Sequence, residues 1–294
     1  MPPARRGPRY VEGRTGLAGL GAVYSQAFRR LQRSRHLRLS LAFWTLLGFV
    51  YIEGFAVGVA RVDSSRAATV AGLLALGWWL VISAVLLGGA ALLDLPDRTP
   101  VPYYGIPNGL TALRAYSCLP IILCATLPLP DNLGLILWIS VGAPTALLDA
   151  VDGYIARHVG PITALGKALD PAGDALFFAV AAVGSWRLGI IPGWLAGLIL
   201  VRYVGPLLGT PIVFLARRRP ELGFTEWGRR NTAGIGFVLF AGMWARLFNG
   251  PVDLLALVLG IPLVGATTLI HFAALARRTY LAPVVREPLR PRRG

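Results

Sequence analysis

Apolar residues run through this chain in long stretches separated by short polar breaks. Stretches of about 20 residues, enough to cross a ~30 Å hydrocarbon core as a helix, recur at 41–60, 68–92, 107–127, 133–157, 166–187, 193–216, 231–248 and 252–276. The pattern predicts an all-α integral membrane protein with eight spans. Ahead of them, Leu17, Leu20, Val23, Tyr24, Ala27, Phe28 and Leu31 recur at helical spacing in an arginine-rich segment that extends to Leu39. That combination predicts an amphipathic helix lying at the membrane interface. Leu93–Tyr104, with Pro96, Pro100 and Pro102, reads as a linker. The expected organisation is a basic segment 1–40, two additional transmembrane helices in 41–102, a six-helix transmembrane core in 103–278 and a basic tail 279–294.

Composition agrees. A chain of 294 residues with 55% hydrophobic content and mean hydropathy +0.61 is not a water-soluble globule. Its net charge of +15 comes almost wholly from arginine, Lys167 being the one lysine. In a soluble protein that balance suggests nucleic acid. Here the arginines gather at the ends of apolar stretches and in both tails, as positive-inside topology and anionic headgroups require, so no nucleic-acid partner is expected. With the N-terminus inside, only Arg61, Arg66, Arg187 and Arg246 fall on the outer side and Arg202 within a span. The expectation is a multi-pass protein of the cytoplasmic membrane with both termini in the cytoplasm. No apolar core with a small-residue cleavage site occurs in the first 38 residues, so no cleavable signal peptide is expected. Cys118 and Cys124 have neither metal nor disulfide spacing and read as packing residues.

The chemistry gathers between residues 149 and 174. The chain has 14 acidic residues, and Asp149, Asp152, Asp170 and Asp174 fall within this one short segment. Each ionised carboxylate near hydrocarbon costs at least ~2.5–3.5 kcal/mol, which calls for compensating cations. Asp149 and Asp152 close one span, and Asp170 and Asp174 open the next. Residues three and four apart share a helix face, so each helix presents a pair. The short link His158–Leu165 makes the helices antiparallel neighbours, which brings both pairs to one depth on the cytoplasmic side. Carboxylate oxygens in this number suit Mg²⁺ or Mn²⁺, and two such ions can clamp a pyrophosphate. Gly153 and Gly166 beside the acids suggest close approach of a ligand to the backbone, with Ala156 extending the flat face. Close helix packing explains the same small residues. Arg157, at the helix end, is placed to offset carboxylate charge or hold a phosphate.

The string D-x2-D-G-x2-A-R-x8-G-x3-D-x3-D from Asp149 to Asp174 resembles the signature of the CDP-alcohol phosphotransferase (CDP-alcohol phosphatidyltransferase) family. Upstream, Pro107-Asn108-Gly109-Leu110-Thr111-Ala112-Leu113-Arg114 is similar to that family's P-N-x-L-T-x-x-R element. The resemblance covers roughly 103–276. It implies transfer of a phosphatidyl group from a CDP-linked lipid such as CDP-diacylglycerol to an alcohol, with release of CMP, in phospholipid biosynthesis. By the same resemblance Asp149, Asp152 and Asp170 would bind two Mg²⁺ or Mn²⁺ ions. Asp174 would face the same metal site and take the acceptor's proton. Asn108, Thr111, Arg114, Gly153, Ala156, Arg157 and Gly166 would line the cytidine-diphosphate pocket. Membrane lipids and a second copy in a homodimer are further expected partners.

The acceptor is less legible. Arg202 lies in an apolar span, and an intramembrane arginine is a functional candidate; pairing with an aspartate or snorkelling explains it equally. Arg217, Arg218, Arg219, Arg229 and Arg230 crowd one loop, which ends Trp227-Gly228-Arg229-Arg230-Asn231-Thr232. That ending is loosely similar to the G-K-x-K-T element of the glycerophosphate-using branch. Arg202, Arg229 and Arg230 are therefore the candidates for binding an anionic acceptor, with sn-glycerol 3-phosphate first, inositol phosphate second and phosphatidylglycerol third. His36, His158 and His271 have no spacing that assigns a role; His158 lies nearest the acids. A divalent-cation transporter and an inactive scaffold are the competing classes. A transporter predicts acids spread over several spans near midplane, and a scaffold predicts gaps in the motif; the chain shows neither.

Overall fold

The structure, a computed structural model, describes residues 17–158, 163–215 and 226–281 apart from Pro96, Arg98 and Asp131. The arginines at 217–219, both extreme tails and residues 159–162 of the link lie outside the described residues. The described residues form, in order, the α-helices α1 Leu17–Arg33, α2 Arg35–Ala60, α3 Ser65–Gly89, α4 Ile106–Thr126, α5 Leu133–His158, α6 Ala164–Arg187, α7 Gly193–Leu215, α8 Glu226–Leu247, α9 Val252–Leu255 and α10 Thr267–Leu281. A π-helical stretch, Ala256–Ala266, joins the last two into one rod. Each expected span coincides with a helix. Among the described residues five rods meet the length and hydropathy needed to cross a membrane, namely Arg35–Ala60, Ser65–Leu92, Ile106–Thr126, Ala164–Arg187 and Val252–Arg277. Within α5 the described apolar stretch is Leu133–Leu148.

The amphipathic segment expected to reach Leu39 stops at Arg33. Ser34 takes an extended conformation and its hydroxyl accepts from the Leu37 N–H at 3.2 Å, so the next residue starts α2. Ala27 and Leu31 of α1 are buried, while Leu20 and Phe28 project outward, leaving an apolar face for the interface. Arg30 anchors α1 through a two-pronged contact with Asp94 at 2.7 and 3.0 Å. Asp94 also accepts, through its carbonyl, the Ala164 N–H at the start of α6 at 2.9 Å. The segment between α3 and α4 is thus a folded tie rather than a loose tether.

α2 docks on α4 by reciprocal insertion. Trp44 of α2 lies over Gly109 of α4, and Tyr116 of α4 lies over Gly48 of α2; a Cβ on either glycine would overlap the ring. Gly48→Leu is therefore expected to cost about 1–3 kcal/mol through overpacking. Adding Tyr116→Ala should recover part of it, checked by thermal unfolding of both variants in detergent. α6 runs antiparallel to α5 and the two meet at their far ends, where Trp138 packs over Gly184. Both also pack along α4, which sets the two acid-bearing helices relative to each other.

Candidate active site

The site is built on the first turns of α4 and α6, which run side by side in the same direction. Asn108, Thr111 and Arg114 are spaced three apart on α4 and are all buried. Opposite them, Gly166, Gly173 and Asp174 of α6 meet this face rung by rung. At the first rung, Thr163 caps α6 by accepting the Gly166 N–H at 3.2 Å and donates its hydroxyl to Asn108 Oδ1 at 3.3 Å. A Cβ on Gly166 would stand 3.3 Å from Asn108 Oδ1, so the glycine admits the asparagine's close approach. At the next rung the Thr111 methyl lies beside Gly173, and the Thr111 hydroxyl donates to the Pro107 carbonyl at 3.1 Å.

The third rung carries the charge. Arg114 Nη2 donates to Asp174 Oδ1 at 2.8 Å. The arginine side chain is 3% exposed and the aspartate 25%, so the guanidinium is inside the bundle and the carboxylate keeps a face open. Phe177, one turn on, lies under the guanidinium with its ring centre 5.0 Å away. Asp170 is exposed one turn before Asp174. The α5 helix carries Asp149, Asp152, Gly153, Ala156 and Arg157 in its last turns, and the side chains of these five lie outside the described residues, as does that of His158. Among the described residues no three acidic, histidine or cysteine side chains cluster.

A second polar group sits where α7, α8 and α10 converge. Arg202 is 9% exposed and its guanidinium lies 5.0 Å from the centre of the Tyr203 ring. Gly228 of α8 faces it: a Cβ there would be 3.3 Å from Arg202 Nη2 and 3.2 Å from the buried His271 ring. Arg202 Nε is buried and has no hydrogen-bond partner among the described residues. The Tyr203 ring stacks on Phe178 of α6 with centres 4.0 Å apart, which ties this group to α6. The expected neighbours Arg229 and Arg230 are exposed instead, Arg230 lying over the Trp227 ring at 4.9 Å. Asn231 is fully buried and donates to the Val264 carbonyl and the Thr267 and Thr268 hydroxyls at 2.7–3.0 Å. It acts as a cross-link to the end of the π-helical stretch, where i→i+5 pairing alters which carbonyls are free.

Sequence inspection passed over Thr163, Phe177 and Tyr203 and assigned His271 no role. Only Thr163 had a local signal, a threonine just ahead of a helical run.

Among the described residues these features define a helical, multi-pass membrane protein with a charged pair between α4 and α6. The chain belongs to the CDP-alcohol phosphatidyltransferase family, whose sequence model matches residues 104–271. Among curated relatives it is similar to a probable phosphatidylglycerophosphate synthase of Mycobacterium tuberculosis, 29% identical over 119 residues, 40% of this chain and 54% of that protein. A CDP-diacylglycerol–glycerol-3-phosphate 3-phosphatidyltransferase of Pseudomonas fluorescens is 34% identical over 137 residues, 44% of this chain and 66% of the relative. A CMP-forming cardiolipin synthase of Streptomyces coelicolor is 41% identical over 61 residues, 20% of this chain and 28% of the relative. The chain thus spans about half the length of the M. tuberculosis relative. No solved structure matches it.

Proposed function

We propose that this protein is a metal-dependent membrane transferase that moves the phosphatidyl group of CDP-diacylglycerol to sn-glycerol 3-phosphate and releases CMP. The observation that carries the proposal is the Arg114–Asp174 pair. It joins the family's two motifs across α4 and α6 and holds a carboxylate with one open face. Asp170 and Asp174 offer only oxygen donors and both reach solvent, a set that fits Mg²⁺ or Mn²⁺. Asp149, Asp152, Asp170 and Asp174 would hold two such ions, which supply charge neutralisation for the pyrophosphate when bound.

The chain's own residues do the rest. The nucleotide is assigned to Asn108, Thr111, Gly153, Ala156, Arg157 and Gly166. The acceptor's hydroxyl oxygen bonds to the phosphorus bearing the diacylglycerol, the pyrophosphate bond to CMP breaks, and the hydroxyl proton passes to Asp174. Arg114 keeps Asp174 in place, since a positioned base depends on geometry before basicity. The arginine distribution assigns the site and both termini to the cytoplasmic face, where soluble CMP can leave.

Arg202 supports a phosphorylated acceptor, because a buried guanidinium with an unused N–H needs an anion or another acceptor nearby. The names of the M. tuberculosis and P. fluorescens relatives favour glycerol 3-phosphate among such acceptors. The test is CMP release from CDP-diacylglycerol and Mn²⁺ or Mg²⁺ over glycerol 3-phosphate, inositol phosphate and phosphatidylglycerol. Release with glycerol 3-phosphate alone supports the assignment, and no CMP with any acceptor overturns the enzyme. Arg202→Ala is expected to raise the acceptor KM about tenfold or more, the loss of one charge-assisted hydrogen bond, with a smaller effect on the donor KM. Equal effects on both would remove Arg202 from the acceptor site.

A further inference from the structure

α2 lies outside the family match, yet it is built against the helix that carries the first family motif. A groove of about 400 Å³ opens between α2, α4 and α5. Leu47, Tyr51 and Phe55 supply the α2 wall, spaced four apart on one face. Ser117 stands on the α4 wall, and Ser140, Thr145 and Leu148 on the α5 wall. We propose that this groove holds one acyl chain of the CDP-linked lipid donor, so that α2 forms part of the donor site. The inference rests on the transferase function proposed above and adds to it the place of a lipid tail.

The groove begins beside the acidic motif. Leu148 immediately precedes Asp149, and Asp152 occupies the position one turn beyond Leu148 on the same stripe of α5. From Leu148 the wall extends back to Ser140, which at 1.5 Å per residue is ~12 Å of helix. A headgroup at the aspartates therefore has a continuous path for its tail into the hydrocarbon.

The walls are chemically suited to a hydrocarbon chain. Thr145 donates to the Val141 carbonyl at 2.6 Å, Ser140 to Ile136 at 2.8 Å and Ser117 to Leu113 at 2.9 Å. These three hydroxyl protons are thus spent within the protein, and most of the remaining wall is methyl, methylene and ring. A second groove, about 580 Å³ between α2 and α3, differs in chemistry. It carries the Glu53 carboxylate and the Arg61 guanidinium on a different face of α2.

Two experiments on the full chain in lipid nanodiscs test the proposal. In the first, CDP-diacylglycerol with a diazirine in one acyl chain is photolysed and the labelled peptides are mapped by mass spectrometry. Labels on the segments 47–55 or 140–148, suppressed by unlabelled CDP-diacylglycerol but not by phosphatidylcholine, are expected. Labelling confined to other helices, or equal suppression by phosphatidylcholine, overturns the proposal. In the second, Leu47→Trp and Ser140→Phe narrow the groove from two different helices. The KM for a dipalmitoyl donor divided by that for a dihexanoyl donor is expected to rise about tenfold, the equivalent of roughly two methylenes no longer buried. The same change in both KM values overturns it, and agreement between the two variants guards against a folding defect in one. Absence of CMP release by the unaltered protein would instead overturn the transferase function, while the labelling pattern would still decide the groove.

Discussion

Asp174→Asn is expected to slow CMP release by ~10²–10⁴-fold, the range that a positioned general base contributes. Asparagine retains the size of the side chain and an oxygen able to accept from Arg114 Nη2, 2.8 Å away in the native pair. What it loses is the charge and the capacity to take a proton. Removing that charge also leaves the guanidinium, 3% exposed, with less compensation inside the bundle. Breaking a buried pair costs about 3–5 kcal/mol; the lower end applies because Asp174 keeps a quarter of its surface in water. Stability and chemistry are separated by the double variant Arg114→Met/Asp174→Asn. Replacing both partners with uncharged groups is often near neutral, so its unfolding temperature in detergent should return toward that of the native protein. Its rate should stay as low as that of Asp174→Asn. An unchanged rate in the single variant, or a rate restored in the double variant, would sink the assignment of Asp174 as the base.

Exhaustive chelation is expected to stop the reaction, and Mn²⁺ or Mg²⁺ to restore it. Divalent ions contribute several kcal/mol of charge stabilisation in phosphoryl transfer, so their loss corresponds to ~10³-fold or more in rate. Asp170→Ala should have an effect of the same order, since Asp170 is exposed one turn from Asp174. Mn²⁺ titration followed by electron paramagnetic resonance gives a readout that does not depend on turnover. Weakened Mn²⁺ binding in Asp170→Ala is expected. Full activity after chelation, or Mn²⁺ affinity unchanged in that variant, would remove metal from the proposed function.

The two motifs were readable because they are local. Pro107 to Arg114 and Asp149 to Asp174 each occupy helix ends, where spacing alone decides which residues share a face. The helices themselves were equally legible from apolar stretches. Their boundaries were not: α2 starts at Arg35 because Ser34 caps it, and a cap competes locally with a longer amphipathic pattern that hydropathy favours. The tie formed by Arg30, Asp94 and Ala164 joins residues far apart in the chain. The π-helical stretch Ala256–Ala266 was likewise invisible, since an apolar rod with a different hydrogen-bond offset has the same hydropathy. Asn231 looked like part of an anion-binding element and turned out to be a buried cross-link, because only the position of α10 shows which acceptors surround it.

By itself the sequence determined that this protein is helical and crosses a membrane, that its positive charge is almost all arginine, and that four of its acids lie on two successive helix ends. Those properties follow from hydropathy and from residue spacing, both of which act within a single segment. Only the tertiary structure decided that Arg114 pairs with Asp174, that Gly166 admits Asn108, and that Arg202 stands with Gly228 and His271. It also decided that α2 closes a groove against α4 and α5. Each of these depends on which helix faces which and at what depth, and that is set by ring-into-glycine packing such as Trp44 on Gly109 and Trp138 on Gly184.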